Sequence, residues 1–192
     1  MRIIAGSLKG RRLKAPTWDG LRPTSDKLRE TLFNVLAPRM AGARVLDGYA
    51  GTGAVGIEAL SRGASHVVFV DNDRRAQLLI GQNLDQCGVA WDTVEGVGGG
   101  GCVIIRDSIQ RALATLGSAD PFDIILFDPP YGLMNDTSVQ TSLAAAGDLL
   151  SANGILVVEH ARRDAPPESI GRMRRTRLLE AGDSALTFYS CP

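Results

Sequence analysis

Residues 46–60 read LDGYAGTGAVGIEAL. Gly51, Gly53 and Gly56 have the G-x-G-x-x-G spacing of a loop whose backbone can approach an adenosine-bearing cofactor closely. Asp71 stands twenty residues after Gly51, at the end of the next apolar run. A carboxylate there can accept both hydroxyls of a ribose. These residues do not distinguish a nicotinamide dinucleotide from S-adenosylmethionine, because both carry an adenosine.

Asp47 makes the distinction. It lies at the mouth of the loop, four residues before Gly51. Its charge would repel a pyrophosphate and attract the ammonium and sulfonium of S-adenosylmethionine. It could also simply bond loop N–H groups. Asp107 ends a later apolar run, where it could accept from an adenine amine or cap the helix that follows.

The reaction class comes from Asp128-Pro129-Pro130-Tyr131. Two prolines stiffen the chain beyond a strand's carboxyl end, where open α/β sheets bind ligands. An amine conjugated with its base is a poor nucleophile. Asp128 and the Pro129 carbonyl can accept its two N–H bonds and turn its lone pair toward a methyl group. Tyr131 can stack on the base.

The elements that must position these residues follow from hydrophobic period. Arg44–Asp47, 66–71, 102–107, 123–128 and 154–160 read as buried strands. Helical spacing over Val55–Arg62, Arg74–Cys87, Ser108–Leu116 and Ser138–Leu150 alternates with them. That alternation predicts a parallel sheet covered on both faces. Arg174–Leu179 and Leu186–Ser190 read as a closing antiparallel hairpin. The N-terminal arm reads as short strands at Arg2–Ala5 and Arg11–Lys14. A helix follows over RPTSDKLRETLFNVL, with Thr24 or Ser25 as cap and Leu28, Leu32 and Val35 as its apolar stripe. The run GVGGGG at 96–101 has glycine-loop composition, but its flanking elements come in the wrong order for a phosphate site.

The 192 residues are 44% hydrophobic, enough for one domain with a small appendage. We read residues 1–40 as a basic extension with a capping helix, and 41–192 as the catalytic domain. No apolar run is long enough for a membrane helix, and the start lacks the apolar core of a signal peptide. Three cysteines without a C-x-x-C point to reduced thiols, a cytoplasmic protein, and neither disulfide nor metal site. A net charge of zero hides an asymmetry. Residues 1–44 carry ten Lys/Arg against three Asp/Glu, a balance of +7, so the rest carries −7. Arg2, Lys9, Arg11, Arg12, Lys14 and Arg22 are the candidate contacts to a polyanion; pairing with acids of the body is the rival reading for the arm.

RPTSDKLRETLFNVL, DGYAGTGAVGIEALSRGA, VDND and DPPY, in that order and over nearly the whole chain, resemble the bacterial 16S ribosomal RNA guanine-N2 methyltransferase family. DPPY alone is shared with DNA adenine-N6 methyltransferases; the N-terminal helix motif with the GRRL arm is more specific. The resemblance implies a Rossmann-like class I methyltransferase fold, α/β, with a mostly parallel seven-stranded sheet and a C-terminal antiparallel hairpin. It implies S-adenosylmethionine as cofactor, 16S rRNA or the small ribosomal subunit or its assembly intermediate as partner, and a monomer. By position, Asp47, Tyr49, Ala50, Gly51, Gly53, Asp71 and Asn72 fall to the cofactor loop and ribose. Asp107 and Ser108 fall to the adenine, Thr24 and Arg29 to the methionine end, and Asp128, Pro129, Pro130 and Tyr131 to catalysis. Gly48 and Tyr49 depart from the family, which more often has a bulkier residue and Phe there.

Two rival functions stand beside this one. A DNA adenine methyltransferase would need a target-recognition domain for which 192 residues leave no room. A non-catalytic RNA-binding module would have no use for Asp128 and Tyr131.

Overall fold

The computed structural model describes residues 1–18, 24–93, 101–117, 120–130 and 132–192. Tyr131, Arg22 and residues 96–100 of the glycine run lie outside them.

Ser25 caps the first helix, α1 (Asp26–Met40), by accepting from the Leu28 N–H at 3.2 Å. Its buried face is Leu28, Leu32, Phe33, Leu36 and Met40, with Arg29 among them. Strand β1 (Arg44–Gly48) leads through the glycine turn into α2 (Ala54–Ser61). β2 (His66–Asp71) and α3 (Arg74–Cys87) repeat the unit. β3 (Asp92–Thr93), β4 (Cys102–Arg106), α4 (Ile109–Leu116), β5 (Phe122–Phe127), α5 (Thr137–Asp148) and β6 (Leu150–Ala161) complete the parallel part. β7 (Ser169–Ile170), β8 (Met173–Ala181) and β9 (Ser184–Ser190) close it.

These strands form one sheet in the order β3-β4-β2-β1-β5-β6-β9-β8-β7. β1 to β6 run parallel, and β9 returns antiparallel to β6. The expected seven strands are its body; the two-residue β3 and β7 extend the edges. The chain moves outward one way from β1 through β2 and β4, then the other way through β5 and β6. The crevice at that reversal, beyond the carboxyl ends of β1 and β5, is where such sheets bind ligands.

Alternation along the strands divides the core. Val45, Phe69, Ile124, Leu126 and Val157 face α1, α2, α3 and the arm. Leu46, Val68, Val70, Ile125, Phe127 and Val158 face α4 and α5. Ile3 and Leu13 of the arm are buried in the first cluster.

The arm differs from its expected form. Among the described residues its two segments share only the bridge Arg2↔Arg12, not a ladder. Beyond the bridge the chain turns, with the Gly10 N–H on the Ile3 carbonyl at 2.9 Å and the Arg11 N–H on the Leu8 carbonyl at 3.1 Å, while the Ile4 and Ala5 N–H groups donate to the buried Glu58 carboxylate, at 2.8 and 3.0 Å. A second correction concerns α4, whose cap is Ser108 rather than Asp107; its hydroxyl accepts from the Arg111 N–H.

Candidate functional site

Four carboxylates gather on one face of the sheet. Asp47 is paired in register with Phe69 and Leu126, whose side chains share the arm-side cluster. Asp71 lies two residues beyond Phe69, Asp128 two beyond Leu126, and Glu159 two beyond Val157. Alternation therefore projects all four from the arm-side face at the carboxyl ends of β2, β1, β5 and β6.

The glycine turn is held by two of them. Asp71 Oδ2 accepts from the Gly51 N–H at 2.8 Å, and its Oδ1 from the Asp73 N–H at 2.8 Å. Asp47 Oδ2 accepts from the Gly56 N–H at 2.8 Å. The Ala50 N–H donates to the Val70 carbonyl, tying the turn to β2. Gly53 caps α2 at φ 75°, a left-handed conformation that side chains resist. Gly56 is required for contact: a Cβ there would lie 2.3 Å from Phe69 Cε1. Asn72 is exposed beside Asp71.

Burial pushes the Asp47 carboxyl up to about 8, with the Gly56 bond opposing and the Asp71 charge adding. Burial also raises Asp71, against the bonds from Asp73 and Gly51. The buried Asp47 and half-buried Asp71 repel one another, and among the described residues backbone N–H groups are what offsets them, so the site favours a cation. Asp47 does bond a backbone N–H, that of Gly56 in the first turn of α2, and one oxygen suffices for that.

Tyr49 breaks the alternation. Its φ of 63° turns the ring off the arm-side face and onto Phe127, edge-on at 5.7 Å. Burial drives its hydroxyl up to about 12, with the nearby Ser142 of α5 opposing the shift. The backbone of Tyr49 stays at the turn while its ring packs behind the Asp128 strand.

Asp128 is partly buried. Its carboxyl is raised well above the usual range, first by burial, then by the charges of Glu159 and Asp47. Pro129 is buried and Pro130 exposed; the Pro130 carbonyl accepts from the Leu133 N–H at 3.2 Å, folding the loop back on itself.

Thr24 and Arg29 come to this face from the N-terminal side. The Thr24 hydroxyl donates to Glu159 Oε2 at 3.1 Å, which places it next to the Asp128 strand. Arg29 is fully buried; its Nη2 donates to Asp26 Oδ1 at 2.7 Å and to the Arg2 carbonyl at 2.8 Å. Its Nε and Nη1 are buried without a partner among the described residues. Asp107 sits beyond β4, on the α4 side; Oδ1 accepts from the Ser108 N–H at 2.7 Å and lies 3.7 Å from Arg111.

Arg2, Lys9, Arg11, Arg12 and Lys14 of the arm are exposed. The arm itself is pinned to α3. Arg11 Nη1 donates to the Gln86 carbonyl at 3.2 Å, Lys14 Nζ to Gln82 Oε1 at 2.9 Å, and the Lys14 N–H to Asn83 Oδ1 at 2.7 Å. Among the described residues Arg11 and Arg12 make no ion pair with an acid, whereas Arg2 lies 4.0 Å from Asp26. Arg2, Lys9 and Lys27 line a cleft of about 300 Å³ between arm and α1, with Asp26 and Glu30 on its wall.

Three residues were not singled out from the sequence. Glu159 stands on β6 beside Asp128. Asn83 is fully buried and joins Lys14 to the turn by donating to the Thr52 carbonyl at 2.9 Å. Glu58 anchors the arm. Each is a polar side chain at a position that hydrophobic period assigns to core, and that mismatch was the available signal.

Residues 1–190 match the family described as Conserved hypothetical protein 95. Ribosomal RNA small subunit methyltransferase D of Escherichia coli K12 is 33% identical over 191 residues, covering 98% of this chain and 89% of that one. The chain belongs to the family of methyltransferase D. The Haemophilus influenzae methyltransferase D is 34% identical over 166 residues, covering 86% of this chain and 81% of that one. The solved structure of the Escherichia coli protein yhhF matches with TM-score 0.77 at 30% identity, covering 98% of this chain and 96% of that one. A structure from Thermus thermophilus matches with TM-score 0.79 at 28% identity, covering 99% of each chain. The methyltransferase D family thus shares this chain's fold as well as its sequence, and that fold is the expected class I methyltransferase fold.

Proposed function

We infer that this chain is an S-adenosylmethionine-dependent ribosomal RNA methyltransferase that modifies the exocyclic N2 of a guanine in the small-subunit RNA. The observation that carries this is the convergence of Asp47, Asp71 and Asp128 on one face, around the sheet's reversal point and beside a Pro-Pro loop.

The residues present suit the methyl donor. Backbone from Tyr49 to Gly53 forms a close-approach cradle, and Asp71, with Asn72 beside it, takes the ribose hydroxyls. Asp47 draws the ammonium. The unpartnered edge of the buried Arg29 guanidinium suits the carboxylate at the methionine end, with Thr24 closing nearby. Asp107 accepts from the adenine amine, with Ser108 beside it. When bound, S-adenosylmethionine supplies a methyl group activated by its sulfonium charge.

Asp128 and the Pro129 carbonyl accept the two N–H bonds of the target amine and hold its lone pair outward; Pro130 stiffens the loop and Tyr131 stacks on the base. The methylated nitrogen sheds a proton, and a carboxylate raised by burial is well matched to take it. Positioning of this kind can supply several kcal/mol of the barrier. The base leaves its stack to enter, which costs roughly a few kcal/mol.

Residues 1–40 act as a basic extension on the catalytic domain of 41–192, and the arm's exposed cations track RNA phosphates. The substrate is the small-subunit RNA or an assembling subunit, met in the cytoplasm by a monomer. Among the described residues no helix is long and apolar enough to cross a membrane.

The test is tritiated methyl transfer from S-adenosylmethionine to small-subunit RNA, to its assembly intermediates and to duplex DNA, with mass spectrometry of the modified nucleoside. N2-methylguanosine in RNA is expected. Methyladenine in DNA would overturn the reading.

A further inference from the structure

Two segments of chain face each other beside the site. Residues 6–10 turn the arm back on itself, with the Lys9 N–H on the Gly6 carbonyl at 3.2 Å and the Gly10 N–H on the Ile3 carbonyl at 2.9 Å. Opposite, Asp26, Lys27 and Glu30 are exposed on the first turns of α1, within about 100° of one another around the helix. Arg2, Lys9, Asp26, Lys27 and Glu30 line the cleft of about 300 Å³ between arm and helix. The buried Arg29 guanidinium holds both walls: its Nη2 bonds the Arg2 carbonyl on one side and Asp26 Oδ1 on the other. The cleft is thus formed before anything enters it.

Charge says what it takes. Three cations line it against two carboxylates, and Asp26 is already engaged, 2.7 Å from Arg29 and 4.0 Å from Arg2. Among the described residues Lys9, Lys27 and Glu30 make no ion pair. Ammonium groups open to solvent on two facing walls suit an anion lying between them, such as a phosphodiester.

Position says where that phosphodiester comes from. Thr24, whose hydroxyl bonds Glu159 Oε2 at 3.1 Å, stands two residues before Asp26. Two residues span at most about 7 Å. Glu159 lies one rung beyond the Phe127↔Val158 pair, level with Asp128. The cleft therefore opens next to the place where a base is to be methylated. A base turned out of its stack swings about its own backbone, so gripping the phosphates beside it keeps it out. We propose that the cleft between the arm and α1 is a phosphate site for the RNA strand flanking the target base. Lys9 and Lys27 grip one phosphodiester from opposite walls, with Arg2 beside them. This rests on the RNA methyltransferase reading above. It goes beyond that reading by separating this cleft from the Arg11 and Lys14 side of the arm, which is seated on α3.

The experiment uses the full chain and a small-subunit RNA fragment whose methylated guanine has been mapped by mass spectrometry. Lys9→Ala/Lys27→Ala should flatten the salt slope of RNA binding by about one to one and a half units, at about 0.7 per contact. The melting temperature and the affinity for the demethylated cofactor product should stay as they were. Glu30→Gln removes a repelling charge and should tighten RNA binding about two- to fivefold, the size of an exposed charge pair. A neutral methylphosphonate is then moved one link at a time along the fragment. At one link near the target guanine it should weaken binding to the unaltered protein at least about threefold, and binding to Lys9→Ala/Lys27→Ala little.

An unchanged slope in Lys9→Ala/Lys27→Ala, with guanine still methylated, would overturn the proposal and leave the reading above standing. So would a Glu30→Gln protein that binds RNA more weakly, because that carboxylate would then be holding the donors of a base edge. Methylphosphonate losses that are the same in both proteins would place the gripped phosphate elsewhere and overturn it too. If inorganic phosphate raised the melting temperature of the unaltered protein but not of the double variant, with the RNA slope unmoved, the cleft would serve a free anion instead. Failure of the unaltered protein to bind or methylate RNA would remove the reading above first, and this inference with it.

Discussion

The Gly51 N–H donates to Asp71 Oδ2 at 2.8 Å, so the glycine turn and the end of β2 are one bonded unit. A change at Asp71 therefore removes a ribose acceptor and loosens the turn together. Asp71→Ala should weaken binding of S-adenosylmethionine or its demethylated product by about 1.5–3 kcal/mol, the worth of hydrogen bonds to a charged group. Calorimetry measures it, with NAD as a control expected to show no binding. Tight NAD binding would return the site to the dehydrogenases.

Asp47 makes stability and binding depend on pH in opposite senses. Its carboxyl stands near 8 in the folded protein because of burial, against 3.8 for an ordinary Asp. The folded state thus keeps a proton that the unfolded chain gives up. This group's contribution is fully present below about pH 4 and is lost as pH rises to about 8. Asp47→Asn, which can still accept from the Gly56 N–H, should raise the melting temperature at pH 8 and leave it nearly unchanged at pH 4. An equal gain at both values would show that Asp47 does not hold the proton. A cationic ligand favours the carboxylate, so its affinity should climb with pH up to about 8. Calorimetry at pH 7 in two buffers of different ionisation enthalpy should register a released proton.

Asp128 should separate chemistry from cofactor affinity. Asp128→Ala is expected to lower turnover by at least about a hundredfold with the cofactor bound nearly as before, because its bonds form to the substrate amine as charge develops. Because burial and the charges of Glu159 and Asp47 hold Asp128 up, the wild-type rate should rise with pH through the raised titration and then level. Retention of more than about a third of the rate under saturating RNA, a loss below ~1 kcal/mol, would take Asp128 out of the reaction.

The arm's cations predict a salt dependence. Arg11 and Arg12 are exposed and not spent on acids among the described residues; Arg11 touches a carbonyl of α3. Each phosphate contact adds about 0.7 to the salt slope for single strands, so Arg11→Ala/Arg12→Ala should flatten it by roughly one to two units. RNA affinity at four salt concentrations, beside a melting curve, decides. A lowered melting temperature with an unchanged slope would make the arm structural only.

What could be read in the sequence was local. β-branched runs ending in Asp gave β1, β2 and β5, and the glycine spacing gave the turn, because strand, turn and helix are adjacent in the chain. Glu159 could not be read so, since its bonded partner Thr24 lies 135 positions away. The short strands read at Arg2–Ala5 and Arg11–Lys14 come down to a single bridge, and Glu58, which holds the Ile4 N–H, lies 54 positions further along the chain. Tyr49 shows a third limit. Alternation places its ring with Asp47, and a single left-handed φ sends it to the opposite face.

The arm's seat has a consequence for the order of events during synthesis. Ile4 and Ala5 bond Glu58, Lys14 bonds Asn83, and Arg11 bonds Gln86, across 53 to 75 positions of chain. A chain made from its N-terminus exposes these basic residues first and supplies their acceptors only after α2 and α3 have emerged. This stretch is thus made well before the acceptors that seat it, and closing so long a loop waits on α2 and α3. Until then the nascent polypeptide carries these basic residues unseated.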